Sequence, residues 1–421
     1  MKLSIVGSGY VGMVTGACFS RIGNDVIMVD SVESKVKLVN AGIPTVYEKD
    51  LEEIVAGTVR EGRLKAVNSI DKAINSSDLS FICVGTPSTS DGKQNLDYIK
   101  KVSEEIGMSI RRKAGYHTVV VKSTVVPGTT EGVVKKIIEN ISGKKAGIDF
   151  GLGMNPEFLK EGGAVNDFMK PDRVVIGSFD ETTKKVLEDI YAPFTAPKIF
   201  TDCTTAEMIK YASNIFLSAR VALINEIGNV SKVLGIDTRV VARTIGMDRR
   251  IGPLFLNAGA GFGGSCFRKD ASAFSSLADE LGVDTPIVDA VLTQNERQPL
   301  KLVEMLEKRM KIAGKRVAVL GLSFKPDSDD VRDAPSIRVV GELLKKGAEV
   351  IAFDPKAMEN FRKLFPGITY AASPAEAAGG SDAIIIVTEW KEFSDPLIYG
   401  GKLVVDGRGV TKTSNYEGIC W

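Results

Sequence analysis

The chain opens Met1-Lys-Leu-Ser-Ile-Val-Gly7-Ser-Gly9-Tyr-Val-Gly12, and the reading of these residues decides the fold. Leu3, Ile5 and Val6 make an apolar strand that runs straight into G-x-G-x-x-G. Small and apolar residues (Val14, Ala17, Cys18, Phe19) then continue as a helix. A second strand, Asp25-Val-Ile-Met-Val-Asp30, ends in a carboxylate 18 residues after Gly12. In a strand–turn–helix–strand unit, such glycines admit a pyrophosphate to the helix N-terminus, and the terminal acid accepts hydrogen bonds from an adenosine ribose. A bare G-x-G-x-x-G is a weak signal; in this context it is a strong one. Asp30 favours NAD over NADP, because a 2′-phosphate would meet a negative charge. Lys35, five residues on, softens that repulsion.

At 421 residues the chain suggests two or three domains. Apolar residues make up 44% and charged residues 25%, ordinary values for a globular protein with large cores. The net charge of +1 gives no global attraction to nucleic acid or acidic membranes, so neither is an expected partner. Local positive charge still suits a phosphorylated small molecule. A strand with a glycine at position 7 does not fit a secretory signal, and apolar runs such as Ala383 to Val387 are far too short to span a bilayer. The five cysteines (18, 83, 203, 266 and 420) are odd in number, spread out and without a C-x-x-C pair. Neither a disulfide framework nor a metal site is expected, and a cytoplasmic location is. Cys18 and Cys83 read as core, Cys203 as a helix start and Cys420 as part of the tail. The one histidine, His117, stands at a strand entrance, which suits surface or packing duty. Lysine, carboxylate and thiol groups must therefore carry any chemistry.

The first ~200 residues alternate strands and helices, as in a doubly wound sheet. A helix around Lys35–Asn40 is followed by strands at Leu64–Val67, Leu79–Val84, Thr118–Lys122, Phe150–Met154 and Arg173–Ile176. Two strands end alike, Cys83-Val-Gly85-Thr86-Pro87 and Lys122-Ser-Thr124-Val-Val-Pro127-Gly128, which points Thr86 and Thr124 toward a cofactor crevice at the sheet's carboxyl edge. A helix N-cap is an equal reading of Thr86. From about Thr204 to Gln298 the pattern is helical, with a long spine helix over Ala206–Leu234 and further helices at Thr238–Ile245, Ala271–Leu281 and Pro286–Arg297. Strand alternation resumes at Lys315-Arg-Val-Ala-Val-Leu-Gly321 and repeats through Glu349–Asp354, Ala383–Thr388 and Lys402–Asp406. The expected fold class is α/β, with two Rossmann-like doubly wound domains (1–200 and 301–421) joined by a central helical region (201–300).

Four segments can carry chemistry. Gly261-Phe-Gly-Gly-Ser-Cys266-Phe-Arg-Lys-Asp270 sets a cysteine behind three glycines, with a basic pair next to it and an acid four positions on. A neighbouring lysine raises the thiolate fraction. A reactive thiol in the same chain as a hydride acceptor suits oxidation of an aldehyde through a thioester. Asn155-Pro-Glu157-Phe-Leu-Lys-Glu161-Gly162 places two acids four apart, on one face if the segment turns helically. Its bland reading is a helix start with acids near the dipole's positive end. Glu207-Met-Ile-Lys210-Tyr-Ala-Ser-Asn214 puts a lysine and an amide one turn apart on an apolar helix. Met247-Asp-Arg249-Arg250 is a basic turn that either binds an anion or is merely solvated.

In this order G-x-G-Y-V-G, C-V-G-T-P, S-T-V, N-P-E-F-L-x-E-G, K-x-x-x-N, G-F-G-G-S-C-F-x-K-D and D-G-R span Lys2 to Arg408. The set resembles the UDP-glucose 6-dehydrogenases of the UDP-glucose/GDP-mannose dehydrogenase family. Arg268 departs from the proline of many bacterial members, which should alter the loop rather than the chemistry. The resemblance implies a four-electron oxidation of UDP-glucose to UDP-glucuronate by NAD. UDP-N-acetylmannosamine and GDP-mannose are the alternative substrates. Cys266 would add to the aldehyde, Lys210 and Asn214 would stabilise the oxyanion, and Asp270 and Glu157 would position or deprotonate water with Thr124. The resemblance places Gly7, Gly9, Tyr10, Val11, Gly12, Asp30, Lys35, Thr86, Thr124, Glu161 and Arg332 at the cofactor. At the sugar nucleotide it places Glu157, Phe158, Leu159, Lys160, Glu161, Lys210, Asn214, Arg250, Phe255, Leu256, Asn257, Ala258, Gly259, Gly263, Lys325 and Arg408. A homodimer or higher homo-oligomer through the central helices is implied as well.

Two rival readings account for less. A single-step hydroxyacid dehydrogenase also uses a lysine and an asparagine on one helix, but needs neither Cys266 nor a second α/β domain. A non-catalytic nucleotide-sugar binder would keep the glycines and tolerate loss of Cys266, Lys210 and Asp270, all of which are present.

Overall fold

A computed structural model describes residues 1–89 and 91–421. Residue contacts divide the chain into two compact units, Met1–Ala212 and Ser213–Trp421. The first is built on an eight-stranded sheet: β1 (Lys2–Val6), β2 (Asp25–Val29), β3 (Leu64–Val67), β4 (Leu79–Ile82), β5 (Thr118–Val121), β6 (Gly151–Met154), β7 (Val174–Ser178) and β8 (Lys198–Thr201). Their order, β3-β2-β1-β4-β5-β6-β7-β8, reverses beside β1, where α/β sheets open a ligand crevice at the strands' carboxyl ends. β4, β5 and β6 are buried along their whole length, as expected of strands covered on both faces. The helix Tyr10–Arg21 packs so closely that a Cβ at Gly16 would lie 2.3 Å from the Met28 sulfur.

One pair departs from the parallel pattern expected: β6 and β7 are antiparallel. Residues 155–173 carry only the one-and-a-half-turn helix Ala164–Met169 and no crossover. The chain therefore re-enters the sheet from the edge it left. That reversal keeps the Asn155–Glu161 segment at the same carboxyl edge as the glycine turn.

The long helix Cys203–Val233 begins with Asp202 as its cap, through Thr205 N–H (2.8 Å) and Thr205 Oγ1 (2.6 Å). It runs from the first unit into the second. The second unit continues with the helices Thr238–Ile245, Phe267–Glu280, Pro286–Arg297 and Leu300–Arg309, and no strand among its described residues before 316. A six-stranded sheet follows: β9 (Arg316–Leu320), β10 (Glu349–Phe353), β11 (Thr369–Tyr370), β12 (Ala383–Ile386), β13 (Leu403–Asp406) and β14 (Tyr416–Gly418). Its order, β11-β10-β9-β12-β13-β14, repeats the reversal of the first sheet. Asp354 follows β10 as Asp30 follows β2, but it is buried. It accepts hydrogen bonds from the Leu322, Ser323, Lys356 and Ala357 amides, the Ser323 hydroxyl and the Trp390 indole at 2.7–3.1 Å.

His117 has packing duty. It is buried, donates from Nδ1 to Ser77 O (3.1 Å) and accepts at Nε2 from the Ser80 hydroxyl (2.6 Å), which continues to Ser4 (2.6 Å). Burial, with the Lys113 charge, pushes its pKa down to about 3. The unfolded chain takes up a proton near pH 6.5 that the folded chain refuses, so the stabilising share of neutral His117 is complete above pH 6.5 and declines as pH falls toward 3. At pH 5 the loss amounts to roughly 2 kcal/mol. In thermal melts the wild type should lose stability between pH 7 and pH 5 more steeply than His117→Gln. Parallel slopes would remove this assignment.

Candidate active site

Gly7 has φ +104°, and a Cβ there would stand 2.6 Å from Cys83 O; a Cβ at Gly12 would stand 1.9 Å from Gly7 O. Both positions admit only glycine. At Gly9, the N-cap of the helix Tyr10–Arg21, nothing lies within 4 Å of the Cβ position, so the positive end of the helix opens onto clear space. Asp30 accepts from Ser8 N (3.0 Å), Ser8 Oγ (2.5 Å) and Val32 N (2.9 Å), with Lys35 Nζ at 3.9 Å. Burial acts to raise its carboxyl, but these donors and the Lys35 charge outweigh it and hold the group below the ordinary carboxylate range. A sterically enforced turn, an open helix end and an ionised acid fit a dinucleotide. Thr86 caps no helix; its hydroxyl donates to Thr124 O (2.9 Å), which ties together the turns after β4 and β5. Gln94 Nε2 reaches the same carbonyl at 2.7 Å.

Beyond β6 the segment from Asn155 to Lys160 has no regular secondary structure, so Glu157 and Glu161 do not share a helix face. Each acid has its own anchor. Glu157 Oε1 meets Lys210 Nζ at 2.8 Å, with both side chains under a tenth exposed, and its Oε2 accepts Leu159 N–H at 2.7 Å. Burial alone would raise the Glu157 carboxyl. The Lys210 ammonium, the Leu159 amide and the Lys122 charge reverse that and hold it low. The Phe158 ring lies between two cations, Arg173 at 4.0 Å and Lys210 at 5.5 Å. Lys122, buried at the end of β5, donates to Asn155 Oδ1 (2.7 Å), which also accepts the Tyr191 hydroxyl (2.5 Å). Burial pulls the Lys122 pKa down to about 8, with the Cys83 and Glu157 charges opposing and Lys210 adding to the shift. Lys122, Asn155, Glu157 and Tyr191 line a cavity of about 220 Å³ with Phe158, Leu159, Lys160 and Arg173.

In the second unit Cys266 is exposed and is the N-cap of the helix Phe267–Glu280. A helix N-terminus stabilises a thiolate. Lys269, the lysine expected to raise the thiolate fraction, has its Nζ 2.5 Å from Asp270 Oδ1. Arg268 likewise bonds Glu296 at 2.8 Å and reaches Asp333 at 3.5 Å. Asp270 is buried, and its other oxygen accepts Asn214 Nδ2 at 2.6 Å. The glycine-rich loop ahead of Cys266 is gripped on both sides. Gly259 N donates to Asn225 Oδ1 (2.7 Å), Gln298 donates to Gly259 O (2.9 Å), and a Cβ at Gly263 would meet Asp333 O at 2.7 Å. Arg408 bonds Gly261 O (3.0 Å) and Val387 O (2.8 Å). Lys325 lies over the Phe324 ring at 5.4 Å. Leu256 is buried, Ala258 partly buried and Asn257 exposed, while Phe255 holds φ +60°. Arg250 and Arg332 fold onto Asp248 (2.6 Å) and Asp330 (2.7 Å), with most of each guanidinium in solvent.

Sequence reading missed Lys122, Asn155 and Glu48. A lysine closing an otherwise apolar strand was a legible signal for Lys122. Glu48 gave none, since it lies in a polar loop. Its carboxylate is buried, and it accepts the Tyr10 hydroxyl and the amides of Gly162 (2.7 Å) and Ala164 (3.1 Å).

Three family models match in succession. They are the NAD binding domain (residues 1–195), the central domain (204–297) and the UDP binding domain (318–413) of the UDP-glucose/GDP-mannose dehydrogenase family. A UDP-glucose 6-dehydrogenase of Haloferax volcanii is 41% identical with 97% of each chain covered. A GDP-mannose 6-dehydrogenase of Pseudomonas aeruginosa is 38% identical with 100% of each covered. The solved UDP-glucose dehydrogenase of Pyrobaculum islandicum superposes with a TM-score of 0.95 at 42% identity, covering 100% of this chain and 97% of that one. Among the described residues no helix is long and apolar enough to cross a membrane. With all three models matched in order and full-length relatives near 40% identity, the chain belongs to the UDP-glucose/GDP-mannose dehydrogenase family and is an NAD-binding nucleotide-sugar dehydrogenase.

Proposed function

We propose that the chain oxidises UDP-glucose to UDP-glucuronate in two successive steps at C6. The observation that carries a four-electron reaction is Cys266. Among the described residues it alone of the five cysteines is exposed, and it stands at a helix N-terminus. GDP-mannose is the second reading, because relatives that bear that name match the whole chain at comparable identity. The match of residues 318–413 to a UDP binding domain favours the uridine nucleotide.

NAD, when bound, accepts the hydride released in each oxidation. The chain's own groups do the rest. As the C6 hydroxyl becomes an aldehyde, its O–H proton passes to water ordered by Glu157 and Asp270, while Lys210 and Asn214 stabilise the negative charge on its oxygen. The Cys266 thiolate then adds to the aldehyde carbon, and loss of the second hydride leaves a thioester. Water attacks that carbonyl while Glu157 and Asp270 orient it and take its proton, Thr124 holds it, and the thiolate leaves. Glu161 flanks the nicotinamide, and Lys325, Arg408 and the 255–263 loop hold the sugar nucleotide. The segments 1–200, 201–300 and 301–421 serve as cofactor, oligomerisation and nucleotide domains. Phe216, Leu223 and Val230 recur every seven residues on the long helix and are all exposed, which supports a homo-oligomer built through that helix. The need for a reduced thiol supports a cytoplasmic setting.

Across a panel of nucleotide sugars, UDP-glucose should give the highest kcat/KM, with two NADH and one acid product per sugar. One NADH per sugar would remove the thioester, and a preference for GDP-mannose would replace the substrate. Cys266→Ser should bind sugar and cofactor normally yet turn over at least about a thousand-fold more slowly, because an alkoxide is a poor nucleophile and leaving group. Near-normal steady-state turnover would take the thiol out of the mechanism. Repulsion at Asp30 should favour NAD over NADP by roughly a hundred-fold in kcat/KM. Comparable values for the two cofactors would mean that Lys35 overrides it.

A further inference from the structure

The loop between the helices Glu33–Asn40 and Leu51–Arg60 is fastened to two segments that lie far apart in sequence. Thr45 Oγ1 donates to Ser8 O (2.5 Å), inside the glycine turn. Three residues on, the buried Glu48 carboxylate bonds the hydroxyl of Tyr10, the first residue of the helix that the turn opens. The same Glu48 oxygen accepts Gly162 N–H at 2.7 Å, and its partner accepts Ala164 N–H at 3.1 Å. Those amides lie one and three residues after Glu161, in a turn where Gly162 adopts φ +77° and Gly163 N–H bonds Lys160 O at 3.0 Å. Asp167 closes its other end, bonding Lys160 N (2.9 Å) and Lys160 Nζ (3.2 Å). The Tyr10 hydroxyl is pushed up by burial first, then by Glu48 and by the charge of Glu161.

We propose that Glu48 is a positioning residue of the hydride-transfer site, one carboxylate clamping the dinucleotide turn through Tyr10 to the Glu161 turn through Gly162 and Ala164. This rests on the reading that NAD seats on the glycine turn with Glu161 beside its nicotinamide. Charge-assisted hydrogen bonds from buried donors are the strong kind, and one acceptor shared by two segments makes them move together. Order imposed on one wall of the cofactor site by a bound dinucleotide therefore reaches the other wall.

Hydrogen exchange on the full chain with saturating NADH tests the clamp without any sugar. In the wild type, NADH should slow amide exchange across residues 160–168 as well as at the glycine turn. In Glu48→Gln, NADH should still bind by fluorescence and protect the glycine turn, while the protection at 160–168 disappears. Tyr10→Phe removes one oxygen only and should do the same if the glutamine variant folds poorly. In turnover, Glu48→Gln should lower kcat about ten-fold with little change in the sugar KM. The isotope effect with C6-deuterated sugar nucleotide should rise, because misplaced hydride transfer becomes rate-limiting. Retained protection at 160–168 in both variants, or its absence in the wild type, would overturn the clamp. An enzyme that oxidises no nucleotide sugar would overturn the proposed function and leave the exchange result to decide the clamp by itself.

Discussion

Lys210 and Glu157 are each under a tenth exposed and lie 2.8 Å apart, and much of the first unit's ligand edge follows from that contact. Taking a lone ammonium or carboxylate out of water costs several kcal/mol, and removing one partner of a buried pair typically costs about 3–5 kcal/mol. The neighbourhood is arranged so that neither charge is left alone. The second Glu157 oxygen takes the Leu159 amide, the Phe158 ring sits beside the Lys210 ammonium, and Lys122 adds positive charge from the end of β5. The turn of the long helix that bears Lys210 is fixed in rotation by the same contact.

The sheet imposes the second constraint. Parallel strands end at one edge, so the glycine turn after β1, the threonines after β4 and β5 and the acids after β6 all reach that edge with no further device. The reversal into β7 keeps the long loop there. A crossover helix would have carried residues 155–173 across a face of the sheet instead. Polar chemistry is thereby concentrated on one rim of an otherwise apolar layer.

How legible this was depended on the range of the interaction. Strand and helix periodicity exposed both sheets and the long helix, because burial on two faces writes itself into runs such as Thr118–Val121. The glycine turn was readable because steric limits at Gly7 and Gly12 leave a fixed spacing. Short edge strands such as β11 and β14 left no pattern, being two and three residues long and specified by their neighbours. For residues 157–161 the spacing left a helical turn open; the structure has none there, and Glu157 pairs instead with Lys210, far away in sequence. Adjacency in sequence likewise did not say that the Lys269 ammonium bonds Asp270. Glu48 was invisible because its partners lie 38 and more than a hundred residues away.

The two sheets share a strand order but differ at the acid beyond the second strand of the reversal. Asp30 keeps part of its carboxylate at the surface, whereas Asp354 is saturated by surrounding amides, a hydroxyl and an indole. An acceptor already filled from within cannot take up ribose hydroxyls. The second fold has thus surrendered the dinucleotide seat of the first and spent the same carboxylate on rigidity. With a single seat per chain, the two oxidations proposed above would have to be separated in time. In the proposed reaction, a thiohemiacetal on Cys266 would keep the aldehyde of the first oxidation in place while the spent dinucleotide is exchanged.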